Sequence, residues 1–158
     1  MLILKIAERT DVEQLLEMQK LAFHSLYEKY RDEGSPYLES VERINEKLER
    51  PLSHYWWIEL EQEKIGYLRV QTNEKAEEAW LGVIAVLPNY QGNGYAKAAI
   101  RMFEKSYPSV TKWTLATIFQ EESLVAFYSS LGYVKTGELE TIQPGMGLIY
   151  MQKEIVTS

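Results

Sequence analysis

The sequence predicts a mixed α/β domain with helices packed on a central sheet. Three observations predict it. Segments whose apolar residues recur at helical spacing alternate with segments that read as strands. A nearly continuous apolar run from Ala79 to Val86 ends at Pro88 and opens into a loop holding Gly92 and Gly94, with a helical pattern directly behind it. No internal repeat, low-complexity tract or linker divides the 158 residues, so a single domain over 1–158 is expected.

The opening Met-Leu-Ile-Leu-Lys-Ile lacks a signal-peptide layout and reads as a first strand. Thr10 with Glu13 fits a capping box, and Val12, Leu15, Leu16, Ala22, Phe23, Leu26 and Tyr30 follow at near-helical spacing. A first helix is predicted from about Asp11 to Arg31, ended by Asp32-Glu33-Gly34-Ser35-Pro36. Val41, Ile44 and Leu48 mark a short second helix from about Ser40, closed by Pro51.

His54 to Leu60 and Lys64 to Gln71, joined by a short polar turn, read as a hairpin. Glu78 to Val86 is apolar enough for a strand buried on both faces. The helix after the glycine loop carries Ala96, Ala99, Ile100 and Phe103 and stops before Pro108. Lys112 to Ile118 alternates as a strand. Leu124, Phe127, Tyr128 and Leu131 then recur as on a helix that Gly132 is placed to end. Strands around Tyr133 to Glu138 and from Leu148 to Lys153 flank the turn Gln143-Pro144-Gly145. The predicted order is β-α-α-β-β-β-α-β-α-β-β.

Composition excludes several classes. With 46% hydrophobic and 25% charged residues, this is an ordinary globular chain, and no apolar stretch approaches a membrane span. The net charge of −6 argues against a nucleic-acid binder, and local geometry must then hold any anionic ligand. The absence of cysteine removes disulfides, thiol nucleophiles and thiolate metal sites. No metal site is expected, and a cytoplasmic location is.

Strand, glycine loop and helix start together make a site for an anionic group. Main-chain N–H groups at a helix N-terminus are unpaired and the helix dipole favours negative charge there. Gly92-Asn93-Gly94 does not fit a P-loop, since no Gly-x4-Gly-Lys-Ser/Thr run exists. A dinucleotide fingerprint fails because its third glycine position is Lys97.

The pattern Val86, Pro88, Gln91, Gly94 and Ala96 instead resembles the GNAT superfamily of acyl-CoA-dependent N-acyltransferases. That family's pyrophosphate loop reads Arg/Gln-x-x-Gly-x-Gly/Ala after a strand ending in Val-x-Pro. Phe127-Tyr128-Ser129-Ser130-Leu131-Gly132-Tyr133 resembles the family's Tyr-x-x-Leu-Gly segment on the helix after the next strand. The order of elements from Leu2 to Met151 also matches. The resemblance therefore covers almost the whole chain.

The resemblance implies a GNAT-like mixed sheet and an N-acetyltransferase that uses acetyl-CoA as co-substrate. It implies that the N–H groups of Gly92, Asn93, Gly94, Tyr95 and Ala96, positioned with Gln91, cradle the pyrophosphate, with Lys97 or Arg101 adding charge. The backbone of Ile84, Ala85 and Val86 would pair with the pantetheine arm, and an N–H near Val86 would face the developing oxyanion. Tyr128 would protonate the departing thiolate. A packed core aromatic is the alternative for Tyr128. The resemblance also raises a homodimer.

Two positions depart from the family pattern. Glu121 stands where the family often has a cofactor-contacting asparagine. Trp80, eleven positions before Gln91, stands where some members have a glutamate base, and a tryptophan cannot accept a proton from an ammonium group. Glu78, Glu33 and His24 are base candidates by chemistry alone. The acceptor surface is expected from the first two helices and their connection, where Tyr27, Tyr30, Asp32, Glu33 and Tyr37 lie. Aromatic faces with carboxylates suit a cation, so a small-molecule amine comes first and a peptide N-terminus or lysine second. A domain that binds acyl-CoA as a sensor without turnover is the competing reading.

Overall fold

The computed structural model describes residues 1–155. The elements follow the predicted order: β1 (Leu2–Ile6), α1 (Val12–Tyr30), α2 (Val41–Glu49), β2 (Ser53–Leu60), β3 (Glu63–Thr72), β4 (Glu78–Val86), α3 (Tyr95–Ser106), β5 (Lys112–Ile118), α4 (Glu122–Ser130), β6 (Val134–Gln143) and β7 (Met146–Glu154). They form one seven-stranded sheet in the order β1-β2-β3-β4-β5-β7-β6. Neighbours pair antiparallel except β4 with β5, which run parallel. Among the described residues no helix is long and apolar enough to cross a membrane.

Alternate residues of the central strands feed two cores, as the two-residue period of a strand requires. On one face Tyr55, Trp57, Tyr67 and Ala85 pack with Val12, Leu15 and Met18 of α1 and Ile44 of α2. On the other, Ile58, Leu68, Leu81 and Val86 pack with Ile100 and Phe103 of α3 and with Tyr128 of α4. Of the two adjacent tryptophans on β2, Trp57 is buried, while Trp56 is half-buried and donates to the Tyr107 hydroxyl at 3.0 Å. Gly66 pairs with Val86 at the end of β4, where there is no room for a side chain. A Cβ there would stand 2.2 Å from the Ala85 carbonyl oxygen.

Two expectations need correction. The start of α1 is not capped by Thr10 and Glu13. A short turn over Arg9–Asp11 precedes it, and Glu8 and Asp11 form the reciprocal cap, with Glu8 N–H donating to Asp11 Oδ2 at 2.8 Å. Tertiary partners select that residue: Trp57 Nε1 also donates to Asp11 Oδ2, at 3.1 Å, and Lys64 Nζ lies 3.8 Å from Oδ1.

The second correction concerns β4, which is not buried on both faces throughout. Trp80, Gly82, Val83 and Ile84 are half-buried. The cause is the neighbouring strand, since β4 and β5 pair over only Glu78–Trp80 and Lys112–Thr114 before they part.

Candidate active site

The parting of β4 from β5 builds the site. Beyond Thr114, β5 pairs with β7 alone, while β4 stays on β3 through Val86. A bulge helps the turn away: Val83 pairs with Arg69 and Leu81 with Val70, so Gly82 is an extra residue. Leu87 N–H donates to the Ile65 carbonyl at 2.8 Å. In an antiparallel pair such exchange alternates, so Ala85 and Val83 bond toward β3 while the main chain of Ile84 and Val86 faces the gap. Gln91 Nε2 occupies the Val86 carbonyl at 2.9 Å, tying the loop to the strand end. The Val86 N–H and both main-chain groups of Ile84 line the open edge.

The glycine loop closes one end of this gap. Tyr90 anchors it by donating to Glu63 Oε2 at 2.9 Å, and the Asn93 side-chain amide donates to the Gln91 carbonyl at 3.2 Å. Gly92 and Gly94 hold φ of 81° and 79°, and a Cβ on either would meet nothing within 4 Å. Backbone conformation, not crowding, therefore selects glycine here. Gly94 caps α3 without a side-chain bond. Among the described residues, the N–H groups of Gly92, Asn93 and Gly94 have no partner, and those of Tyr95, Ala96 and Lys97 are the free donors of a helix start. Lys97 and Arg101 enter no ion pair among the described residues. These groups fit a pyrophosphate: convergent donors, a favourable dipole and two available cations.

The opposite wall is α4, which follows the free end of β5. Tyr128 is buried there with its ring edge-on to Phe127 (5.1 Å) and Tyr133 (6.2 Å). Burial pushes its phenol well above the usual range, and its hydroxyl has no partner among the described residues. A buried network holds the wall in place. The Tyr133 hydroxyl donates to Glu104 Oε2 at 2.9 Å and Lys153 Nζ to Oε1 at 2.9 Å, joining α3 to β7. Gly132, at φ 99°, ends α4 as expected.

Glu121, at the start of α4, is held by α1: Lys29 Nζ and the Tyr30 hydroxyl both donate to its Oε2. The Lys29 bond holds its carboxyl below the ordinary range, with the Tyr30 bond adding to it. Gln143 Nε2 donates to the Tyr30 carbonyl at 2.6 Å. These contacts clasp the two halves of the parted sheet. They also remove the Tyr30 hydroxyl from the expected cation surface.

Tyr27 and Tyr37 do stack, with centroids 4.9 Å apart, but the chain's own Arg31 and Lys20 sit 5.4 and 5.2 Å from their ring centres. The base candidates disperse. Glu78 lies at the paired end of β4, His24 is exposed beside Glu28, and Glu33 is exposed. Trp80 lies across from Gln71, on the α1/α2 face, and its ring tilts against Tyr150 at 6.0 Å. One residue on that face escaped sequence reasoning: Arg69 is 7% exposed, with its guanidinium over Gly82. Strand periodicity alone could have put it on the same face as Tyr67. Its burial depends on what α2 covers.

A parted parallel strand pair, a glycine-capped helix at its mouth and a buried tyrosine opposite make this the frame of an acyltransferase. The chain belongs to the Acetyltransferase (GNAT) family, whose sequence model matches residues 14–133. Its fold is similar to that of an acetyltransferase from Thermus thermophilus, with 22% identity, TM-score 0.79 and coverage of 98% of this chain and 97% of that one. It is also similar to the ribosomal-protein-S18-alanine N-acetyltransferase from Escherichia coli, with 18% identity, TM-score 0.79 and coverage of 100% and 96%. A third similar structure is spermidine N-acetyltransferase from Vibrio cholerae in complex with CoA and spermine, with 18% identity, TM-score 0.77 and coverage of 97% and 95%. Among the described residues no group of three His, Asp or Glu side chains is arranged to hold a metal.

Proposed function

We propose that the whole chain works as one N-acetyltransferase domain, moving the acetyl group of acetyl-CoA to a primary amine by direct attack in a ternary complex. The gap between β4 and β5 carries this reading. Its free main-chain edge at Ile84 and Val86 can pair with an extended amide-bearing arm, as a further strand would. Gly92, Asn93, Gly94, Tyr95 and Ala96 offer N–H donors to the pyrophosphate, Gln91 braces the loop, and Lys97 adds charge. The Val86 N–H is a fixed donor for the carbonyl oxygen as it gains charge. Ala85, bonded to Tyr67 on the other side, keeps that edge straight.

Tyr128 supplies the proton that the leaving sulfur needs. Its burial keeps the phenol protonated through the neutral range, so the donor form is always present. Members of the fold act on spermidine and on a ribosomal protein, so the acceptor is a small-molecule amine or a peptide amine. No carboxylate stands at Trp80 to take the ammonium proton. That leaves the proton to another group, an ordered water or bulk solvent, and it also sustains the second reading, acyl-CoA binding without turnover.

A thiol-release assay with acetyl-CoA and a panel of polyamines, amino acids, aminoglycosides and peptides tests the proposal. Release should require an amine and should fall about 100-fold in Tyr128→Phe. If acetyl-CoA raises the melting temperature while no amine in the panel releases thiol, binding without turnover is the better account.

A further inference from the structure

The α1/α2 face of β3 carries a cation that the fold leaves unpaired. Arg69 is 7% exposed, yet no carboxylate among the described residues lies within ion-pair distance of it. Among the described residues its only hydrogen bond is a long one, 3.4 Å to Gln71 Oε1, and its Nε has no partner. A buried charge without a counter-charge is costly, and proteins ordinarily pair it. Glu39, a carboxylate in its electrostatic neighbourhood, is already engaged by Lys47 and by Gln19 Nε2 at 2.6 Å. Arg43 and Arg50 are also near and add positive charge. Arg43 is paired with Glu46 at 3.0 Å and Lys47 with Glu39, which leaves Arg69 as the buried cation of this cluster with no carboxylate in ion-pair range among the described residues.

Position gives the cluster a chemical meaning. The Arg69 Nη1 sits 2.8 Å from where a Cβ on Gly82 would be, and the Trp80 ring is 3.6 Å from the same point. Gly82 is the bulged residue at which β4 turns from β5, two residues from the free edge at Ile84. The guanidinium therefore stands on the acceptor side of the thioester slot. Trp80 offers no carboxylate here, and Arg69 supplies a positive charge beside it. A solvent-open hollow of about 350 Å³, lined by Ser35, Glu39, Arg43 and Lys47 at the α1–α2 connection, shares these charged neighbours.

We infer that Arg69 is an acceptor-binding residue that selects an amine bearing a carboxylate, held bidentately over Gly82 with the amine directed at the β4–β5 gap. A planar guanidinium matches a carboxylate in two parallel bonds, which a lysine cannot reproduce. The substrate class is then an amino acid or a peptide presenting its own carboxylate near the amine, not a polyamine. This deepens the acetyltransferase reading and rests on it.

The test compares matched acceptors, an amino acid and its amide, by thiol release in the wild type, Arg69→Gln and Arg69→Lys. The amide's amine loses its proton more readily, so intrinsic reactivity favours the amide. The wild type should nevertheless prefer the acid by about tenfold or more in kcat/KM, mostly through KM. Arg69→Gln should erase that preference, Arg69→Lys should keep part of it, and acetyl-CoA affinity should be unchanged in both. Equal use of acid and amide by the wild type, or preference for spermine, overturns the inference while leaving the enzyme reading intact. Calorimetry with N-acetylalanine and N-acetylalaninamide separates the two. Binding of the acid alone, lost in Arg69→Gln, with no thiol release from any amine, sustains the anion site and sinks the enzyme reading. Binding of neither probe, with no release, sinks both.

Discussion

The two faces of the sheet leave different kinds of polar group free. On the α3 side, among the described residues, they are main chain: N–H groups from Gly92 to Lys97 and the open edge at Ile84 and Val86. On the α1/α2 face the polar groups are side chains: the buried Arg69, whose Nε has no partner among the described residues, beside the self-paired Glu39–Lys47–Gln19 network. Main-chain donors recognise what every carrier molecule of one kind shares, whereas side chains set which partner is admitted. If the proposed reading holds, the acetyl source is fixed by the main chain and the acceptor by side chains. A change at Arg69 should alter the acceptor and leave the acetyl-CoA side untouched.

The largest expected effect is at Tyr128, the proposed proton donor. Tyr128→Phe removes the phenol hydroxyl without removing the ring. The turnover number should drop about 100-fold with the Kd for acetyl-CoA unchanged, read by steady-state kinetics and calorimetry together. Parallel loss of affinity would mean that Tyr128 is only part of the binding wall.

Gly94→Val sharpens the comparison from the other side. A β-branched residue at φ 79° costs about 1–2 kcal/mol and turns the free N–H groups away. Acetyl-CoA should bind about tenfold more weakly, while the acid-over-amide preference of the acceptor site persists. Isothermal titration and the matched-acceptor assay report the two quantities separately.

The smallest effect lies in the clasp between the halves. Glu121 has its carboxyl held low by Lys29 and Tyr30, so the clasp adds stability above the ordinary glutamate range, about pH 4.3, and loses it as pH falls through the depressed value. Melting temperature should therefore fall more steeply below about pH 4 in the wild type than in Glu121→Gln. The two curves should differ by a constant amount near neutrality, where Glu121 is fully ionised. Curves that stay parallel down to pH 2 would show that the clasp carries no proton-linked stability.

The same division explains what could be read in the sequence. Main-chain architecture is written locally: Pro88, Gly92 and Gly94 mark the loop, and the apolar runs mark the strands, so the order was legible, although β6, expected to stop near Glu138, runs on to Gln143. The Tyr128 segment was legible because Gly132 ends its helix in a fixed frame. Arg69 was not, because its burial depends on α2 and on the bulge at Gly82, neither of which strand periodicity encodes. Half-exposure of β4 was hidden for a similar reason. It arises because β5 leaves after three residue pairs, a property of the sheet and not of the strand. At Asp11 the cap was fixed by Trp57 from β2, a partner 46 positions away, against the local signal of Thr10 and Glu13.

The most direct test of the central claim, that a main-chain edge and loop receive acetyl-CoA, is backbone amide NMR of the wild-type protein titrated with acetyl-CoA. The N–H resonances of Gly92, Asn93, Gly94, Tyr95, Ala96 and Val86 should shift together and gain protection from solvent exchange, with those of β1 and β6 unmoved. Saturable binding that leaves these six amides unchanged would contradict the account.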